Sequence, residues 1–127
     1  MQFDSGQSIY LQISDYVCEQ ILRGHWKPGD RIPSIREMAV LVEVNPNTVT
    51  RAYTVLGEEG IIENRRGIGY FVTPGGFEAT ASTKRRRFEQ EELPRVFRTM
   101  QLLGMSAADL AKLYERYCME EDLETNN

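Results

Sequence analysis

Asn47, Thr48, Thr50 and Arg51 fall within one short stretch of a 127-residue chain. Amide, hydroxyl, methyl and guanidinium groups at this density suit base-edge recognition. Asn pairs with adenine, Arg with guanine, and Thr offers a hydroxyl or a methyl. The plainer reading is that Asn and Thr cap a helix start and that Arg is solvated. The element that carries them must separate the two. Catalytic chemistry finds little support. His25 is the only histidine, and Cys18 and Cys118 lie 100 positions apart, each among helix formers. That spacing is neither a disulfide framework nor a metal motif, and packed or partly exposed thiols are expected. No Gly-rich phosphate loop precedes a helix, and no nucleophile–base pair stands out. The expectation is therefore no cofactor, no metal and no enzyme activity.

Periodicity and punctuation supply the elements. Ile9, Ile13, Val17 and Ile21 recur every four residues, widened by Tyr10, Tyr16 and Leu22, so a helix is expected from Ser8 to Arg23. Gly24 and Pro28-Gly29 stop it. Ser34 and Glu37 have capping-box spacing and open a second helix of about ten residues, with Ile35, Met38, Ala39 and Val42 on its apolar stripe. Asn45 reads as an N-cap and Pro46 as the first residue of a third helix running to about Glu59. Val49, Ala52, Tyr53 and Leu56 form its core face, which leaves Asn47, Thr50, Arg51 and Thr54 mostly on the other. Only Glu43 to Asn45 separates helices two and three. That is helix-turn-helix spacing, in which the second helix of the pair enters the major groove. After Gly60 the period changes. Ile61–Asn64 and Tyr70–Thr73 read as strands around Arg65–Gly69, a hairpin closed by Pro74-Gly75-Gly76.

Beyond it, residues 77–83 are small and polar, a linker or a frayed helix start. A helix is expected from about Arg85 to Leu103, kinked or restarted by Pro94. Gly104 stops it, and Ser106 with Asp109 resembles a second capping box. A last helix follows, and the acidic end EEDLETNN is expected to fray. Phe97, Met100, Leu103, Leu110, Leu113, Tyr114 and Tyr117 form apolar stripes that two helices cannot bury alone, so they are candidates for a dimer contact. The alternative is folding back on the chain's own N-terminal part. Lys84–Arg87 either touches phosphate or is a solvated helix start paired with Glu89, Glu91 and Glu92; the second reading is preferred.

Charge argues against a bulk polycation. The net charge is −4, and residues 1–75 carry seven Lys/Arg against nine Asp/Glu. Bulk charge governs nonspecific attraction and does not forbid a local positive face. It is nonetheless the support for a second reading, a winged helix used only for protein–protein contact. No apolar run approaches the roughly 20 residues that span a bilayer. The start MQFDSGQ lacks the pattern of a secretion signal, so a cytoplasmic location is expected.

The run Pro28-Gly-Asp-Arg-Ile-Pro-Ser-Ile-Arg-Glu-Met-Ala39 resembles the hallmark of the GntR regulators. Val44–Tyr53, Leu56–Gly60 and Arg66–Gly69 continue that resemblance in order and spacing, over roughly residues 8–74. Ile32 and Met38 are small departures. The resemblance implies DNA contacts at Arg31, Ser34 and Arg36 around the start of helix two. It implies contacts at Asn47, Thr48 and Arg51 on the recognition helix, and at Arg66 and Gly67 on a wing tip that enters the minor groove. Thr50 joins this set from its place on the same exposed face. For Arg31 and Arg36 the alternative is a surface salt bridge with Asp30 or Glu37. The short tail resembles the YtrA-type subfamily, which implies a homodimer and a repressor of a transporter operon.

The expected fold class is mainly α with a small β-hairpin: a winged helix-turn-helix over residues 1–76 and a two-helix C-terminal tail over 77–127. The expected partners are double-stranded DNA with a palindromic operator, and a second copy of the chain. A small-molecule effector is left unidentified, and no membrane partner is expected.

Overall fold

A computed structural model describes residues 8–125. The MQFDSGQ segment read above for a secretion signal lies outside them. The elements are α1 (Ile9–Leu22), α2 (Ile35–Val42), α3 (Pro46–Glu58), β1 (Ile62–Arg65), β2 (Gly69–Val72), α4 (Gly76–Arg87), a π-helical turn (Phe88–Glu92), α5 (Leu93–Leu103) and α6 (Ala107–Thr125). The order is that of a winged helix-turn-helix followed by a helical tail. The chain packs as two compact units, which part between Arg85 and Arg86.

One core holds the first unit together. Ile13, Val17, Cys18 and Ile21 of α1 meet Met38, Ala39 and Val42 of α2 and Val49, Ala52, Tyr53 and Leu56 of α3. Ile61, Ile62 and Val72 close it from the hairpin, and Ile32 closes it from the loop. The expected stripe of α1 holds along its middle; Ile9 is 48% and Leu22 38% exposed, and they are the two end residues of the helix. Neither cysteine is in a disulfide; Cys18 is buried and Cys118 partly exposed.

The turn of the helix-turn-helix is tight. Glu43 ends α2 in the left-handed region at φ 56°, and the Val44 amide donates to the Ala39 carbonyl at 3.0 Å. A non-glycine residue there is strained, and only fixed neighbours on both sides hold it. Val42 before it and Val49 after it are buried in the core.

The strands pair antiparallel, from Ile62 opposite Val72 to Arg65 opposite Gly69. Backbone of the Gly29–Ile32 loop covers the other edge of β2. Gly29 donates to Val72 at 2.9 Å, Val72 to Asp30 at 2.9 Å and Ile32 to Tyr70 at 3.0 Å. An edge that would invite foreign pairing is thus satisfied within the chain.

Residues 77–83 are helical, not frayed. Thr80 is fully buried and its hydroxyl donates to the Gly76 carbonyl at 2.6 Å. Small residues that look like linker composition here allow close approach. A Cβ on Gly76 would stand 2.7 Å from both the Ile61 carbonyl oxygen and Val72 Cγ1. Lys84 pairs with Asp15 at 2.5 Å. Helical backbone continues through the π turn into α5. Pro94 explains the wide turn. Its ring would strike the carbonyl of Gln90 in a regular helix, and one added residue per turn removes the clash.

In the second unit Gly104, at φ 70°, ends α5. Ser106 and Asp109 form the reciprocal cap expected of them: the Ser106 amide donates to Asp109 at 2.9 Å, and the Asp109 amide to Ser106 Oγ at 3.2 Å. The acidic end stays helical to Thr125, where the Tyr117 hydroxyl donates to Glu121 at 2.9 Å. No helix among the described residues is long and apolar enough to cross a membrane.

Candidate nucleic-acid interface

Ser34 starts α2 with both halves of a capping box. The Glu37 amide donates to Ser34 Oγ at 3.1 Å, and the Ser34 amide donates to Glu37 Oε1 at 3.0 Å. The backbone amide of Ser34, its side chain and nearby Arg31 hold the Glu37 carboxyl below the usual carboxylate range. Arg36 sits exposed in the same first turn. Two cations therefore lie near a helix N-terminus, whose dipole favours an anion and whose capping box already holds the Glu37 carboxylate. Among the described residues no ion pair joins Arg31 or Arg36 to Asp30 or Glu37, although the Arg31 charge acts on Glu37.

Asn45 and Pro46 set the start of α3. The Asn45 side chain accepts from the Asn47 amide at 2.8 Å, and proline occupies the first turn. The capping role thus falls to Asn45, and the Asn47 side-chain amide is exposed, with no hydrogen-bond partner among the described residues. Thr48 is half-buried and Thr50 exposed. The Thr50 hydroxyl donates to the Pro46 carbonyl at 3.0 Å. Its remaining offer to a partner is a methyl and an acceptor lone pair, not a donor. Tyr53 ties this helix to the loop before α2. Its hydroxyl donates to the Pro33 carbonyl at 2.6 Å, and its ring meets Tyr70 edge-on at 4.8 Å. Burial first, then Tyr70 and Glu37, push this phenol far above its ordinary range, so it is a permanent donor.

Arg66, Gly67 and Ile68 form the tip of the hairpin, with Gly67 at φ 75°. Arg66 is exposed and Ile68 is 60% exposed. Arg31 lies against this wing: its Nε is 2.9 Å from where a Cβ on Gly69 would be. Gly69 stands at φ 141° and so has two reasons to be glycine. Arg65 is committed elsewhere, stacked 4.1 Å over Phe71 and bonded to Glu63 at 2.9 Å.

One contact was not legible from spacing. Tyr10, counted among the apolar residues of α1, lies half-buried with its ring 3.9 Å from the Arg51 guanidinium. Ser8, Ile9 and Tyr10 line one hollow with Asn47, Thr48 and Arg51. Aromatic character alone does not separate a core ring from one that holds a cation.

In the tail, Phe97, Leu103, Leu113, Tyr114 and Tyr117 are exposed, and Met100 and Leu110 are half-buried. No residue of α5 or α6 is buried. Phe88, Leu93, Val96, Ala107, Leu110, Ala111 and Tyr114 line an apolar hollow of about 540 Å³.

Residues 9–72 match the family described as bacterial regulatory proteins, gntR family. The chain is 37% identical over 111 residues to the HTH-type transcriptional repressor YtrA of Bacillus subtilis, covering 87% of this chain and 82% of that one. It is 48% identical over 71 residues to the uncharacterised HTH-type regulator YhcF of the same organism, of whose length it spans 59%. Among solved structures, a putative GntR-family regulator from Bacteroides thetaiotaomicron superposes with a TM-score of 0.73 at 39% identity, over 90% of this chain and 99% of that one. YtrA from Sulfolobus acidocaldarius, a GntR-family transcription factor, superposes with 0.54 at 29% identity, over 94% and 96%. Helix-turn-helix, wing and short helical tail thus agree with these likenesses, and the chain belongs to the GntR family of DNA-binding transcriptional regulators, in its YtrA-type branch.

Proposed function

We propose that the chain is a homodimeric repressor of a palindromic operator. Each copy inserts the first turns of α3 in the major groove, where Asn47, Thr48, Thr50 and Arg51 meet base edges. Arg31, Ser34 and Arg36 take the backbone beside it, and Arg66 with Gly67 enters the minor groove. The single observation that carries this reading is the division of α3. Val49, Ala52, Tyr53 and Leu56 are buried, while Asn47, Thr50 and Arg51 are exposed, with Arg51 in no ion pair among the described residues. A helix anchored on one side and polar on the other is a rigid reader.

The tail supplies the two-fold. Its apolar residues and open hollow need a cover, and a second copy brings the same surface in self-complementary form. Two reading heads would then sit roughly 34 Å apart on successive major grooves. On the subfamily resemblance, the target is a transporter operon.

The test is a mobility shift of DNA upstream of the chain's own gene at two salt concentrations, beside an Arg36→Ala, Arg51→Ala double variant. Specific binding that weakens with salt and is lost in the variant is expected. Equal binding by the variant would remove these residues from the interface.

A further inference from the structure

We propose that Tyr10 is a positioning residue for DNA recognition: its ring presents the Arg51 guanidinium to the groove. The proposal rests on the DNA-reading role assigned to Arg51 above. Arg51 Cζ stands 3.9 Å from the centroid of the Tyr10 ring. Tyr10 lies in the first turn of α1, and α1 packs along α3. Its own backbone is anchored, since the Ser14 hydroxyl donates to the Tyr10 carbonyl at 3.0 Å. The ring is therefore fixed to the core while the cation above it remains exposed.

The kind of contact matters. An arginine side chain has much rotamer freedom, and binding must remove it. A carboxylate partner would fix the side chain but also consume its donors and cancel its charge. Arg23 and Arg65 show that arrangement: each places Nε and Nη2 on a glutamate, Glu19 and Glu63. Both are thereby spent. A ring face holds the guanidinium through the π quadrupole and leaves its N–H edge free for a guanine or a phosphate. Asn47 and Thr48 share the hollow with Tyr10 and Arg51, so the held cation sits beside the other reading groups. The start of α1 thus takes part in recognition by a residue that itself makes no base contact.

The experiment is a fluorescence-anisotropy titration of duplexes that the wild-type chain has selected from a random pool. Tyr10→Phe keeps the ring face and is expected to bind as the wild type does. Tyr10→Leu removes it and is expected to bind about two- to fivefold more weakly, the worth of an exposed cation–π contact. In an Arg51→Ala background, Tyr10→Leu is expected to change nothing further. Equal losses from Tyr10→Leu with and without Arg51 would overturn the proposal and make the ring a packing residue. A loss from Tyr10→Phe as large as that from Tyr10→Leu would overturn it in favour of a direct phosphate contact by the hydroxyl. If the wild-type chain selects no duplex, the DNA-reading role of this face fails with it, and that failure is visible before any variant is made.

Discussion

Tyr53 and Glu37 show how single side chains set the candidate interface. The Tyr53 hydroxyl is the bond between α3 and the loop that carries Arg31, and it donates to a carbonyl in a partly buried place. Tyr53→Phe leaves Pro33 without its donor, and a loss of about 1–3 kcal/mol in unfolding free energy is expected from urea denaturation. An unchanged midpoint would mean that water replaces the phenol there. Glu37 gives a pH signature. Its carboxyl is held below its ordinary range by the Ser34 amide first, then the Ser34 side chain, and by Arg31. A lowered folded-state value stabilises the fold above the ordinary carboxylate range, and that gain is lost as pH falls through the folded value. The stability gap between wild type and Glu37→Ala is therefore expected to be widest at neutral pH and to narrow below about pH 4. A gap that stays constant down to acid would show that the cap works without its charge.

At the scale of elements, α4 is the informative case. It begins against the hairpin, and Gly76 permits that contact because an added Cβ meets backbone and core on two sides. Gly76→Ala is expected to cost about 1–3 kcal/mol, as overpacking does. Gly75→Ala is the control, since nothing lies within 4 Å of its Cβ position. Thermal melts of the two variants compare them directly, and equal melting temperatures would mean that α4 does not need its close seat. The helix-turn-helix itself was readable from Ser34, Glu37, Asn45 and Pro46. Caps are local chemistry, complete within four residues, and no tertiary context is required to recognise them. The seat of α4 was not readable, because Gly, Ala, Ser and Thr have the composition of a linker whether or not something packs against them.

For the whole molecule, the proposed dimer rests on the tail, since neither α5 nor α6 has a buried residue. A Phe97→Asp, Leu113→Asp double variant is expected to sediment as a monomer with its winged unit still folded. It is expected to bind a palindromic duplex about a hundredfold more weakly, because the second head no longer acts at high effective concentration. A variant that remains dimeric would move the interface elsewhere. The net charge of −4 belongs to this scale too. It predicts weak nonspecific attraction, so the salt dependence of binding should reflect a few local contacts and not the whole surface.

By itself the amino-acid order determined the helices apart from the start of α4, their caps and the hairpin, all of which rest on period, punctuation or spacing over one to four residues; the resemblance to a family rests on motifs spread over residues 8–74. The ring of Tyr10 beneath Arg51, the reach of Lys84 to Asp15, the bond from Tyr53 to Pro33 and the close approach of α4 to the hairpin came only from the tertiary structure. All of them join residues far apart in the chain. No local pattern encodes which distant side chain a tyrosine, lysine or glycine will meet, because that depends on how the packed core brings separate elements together.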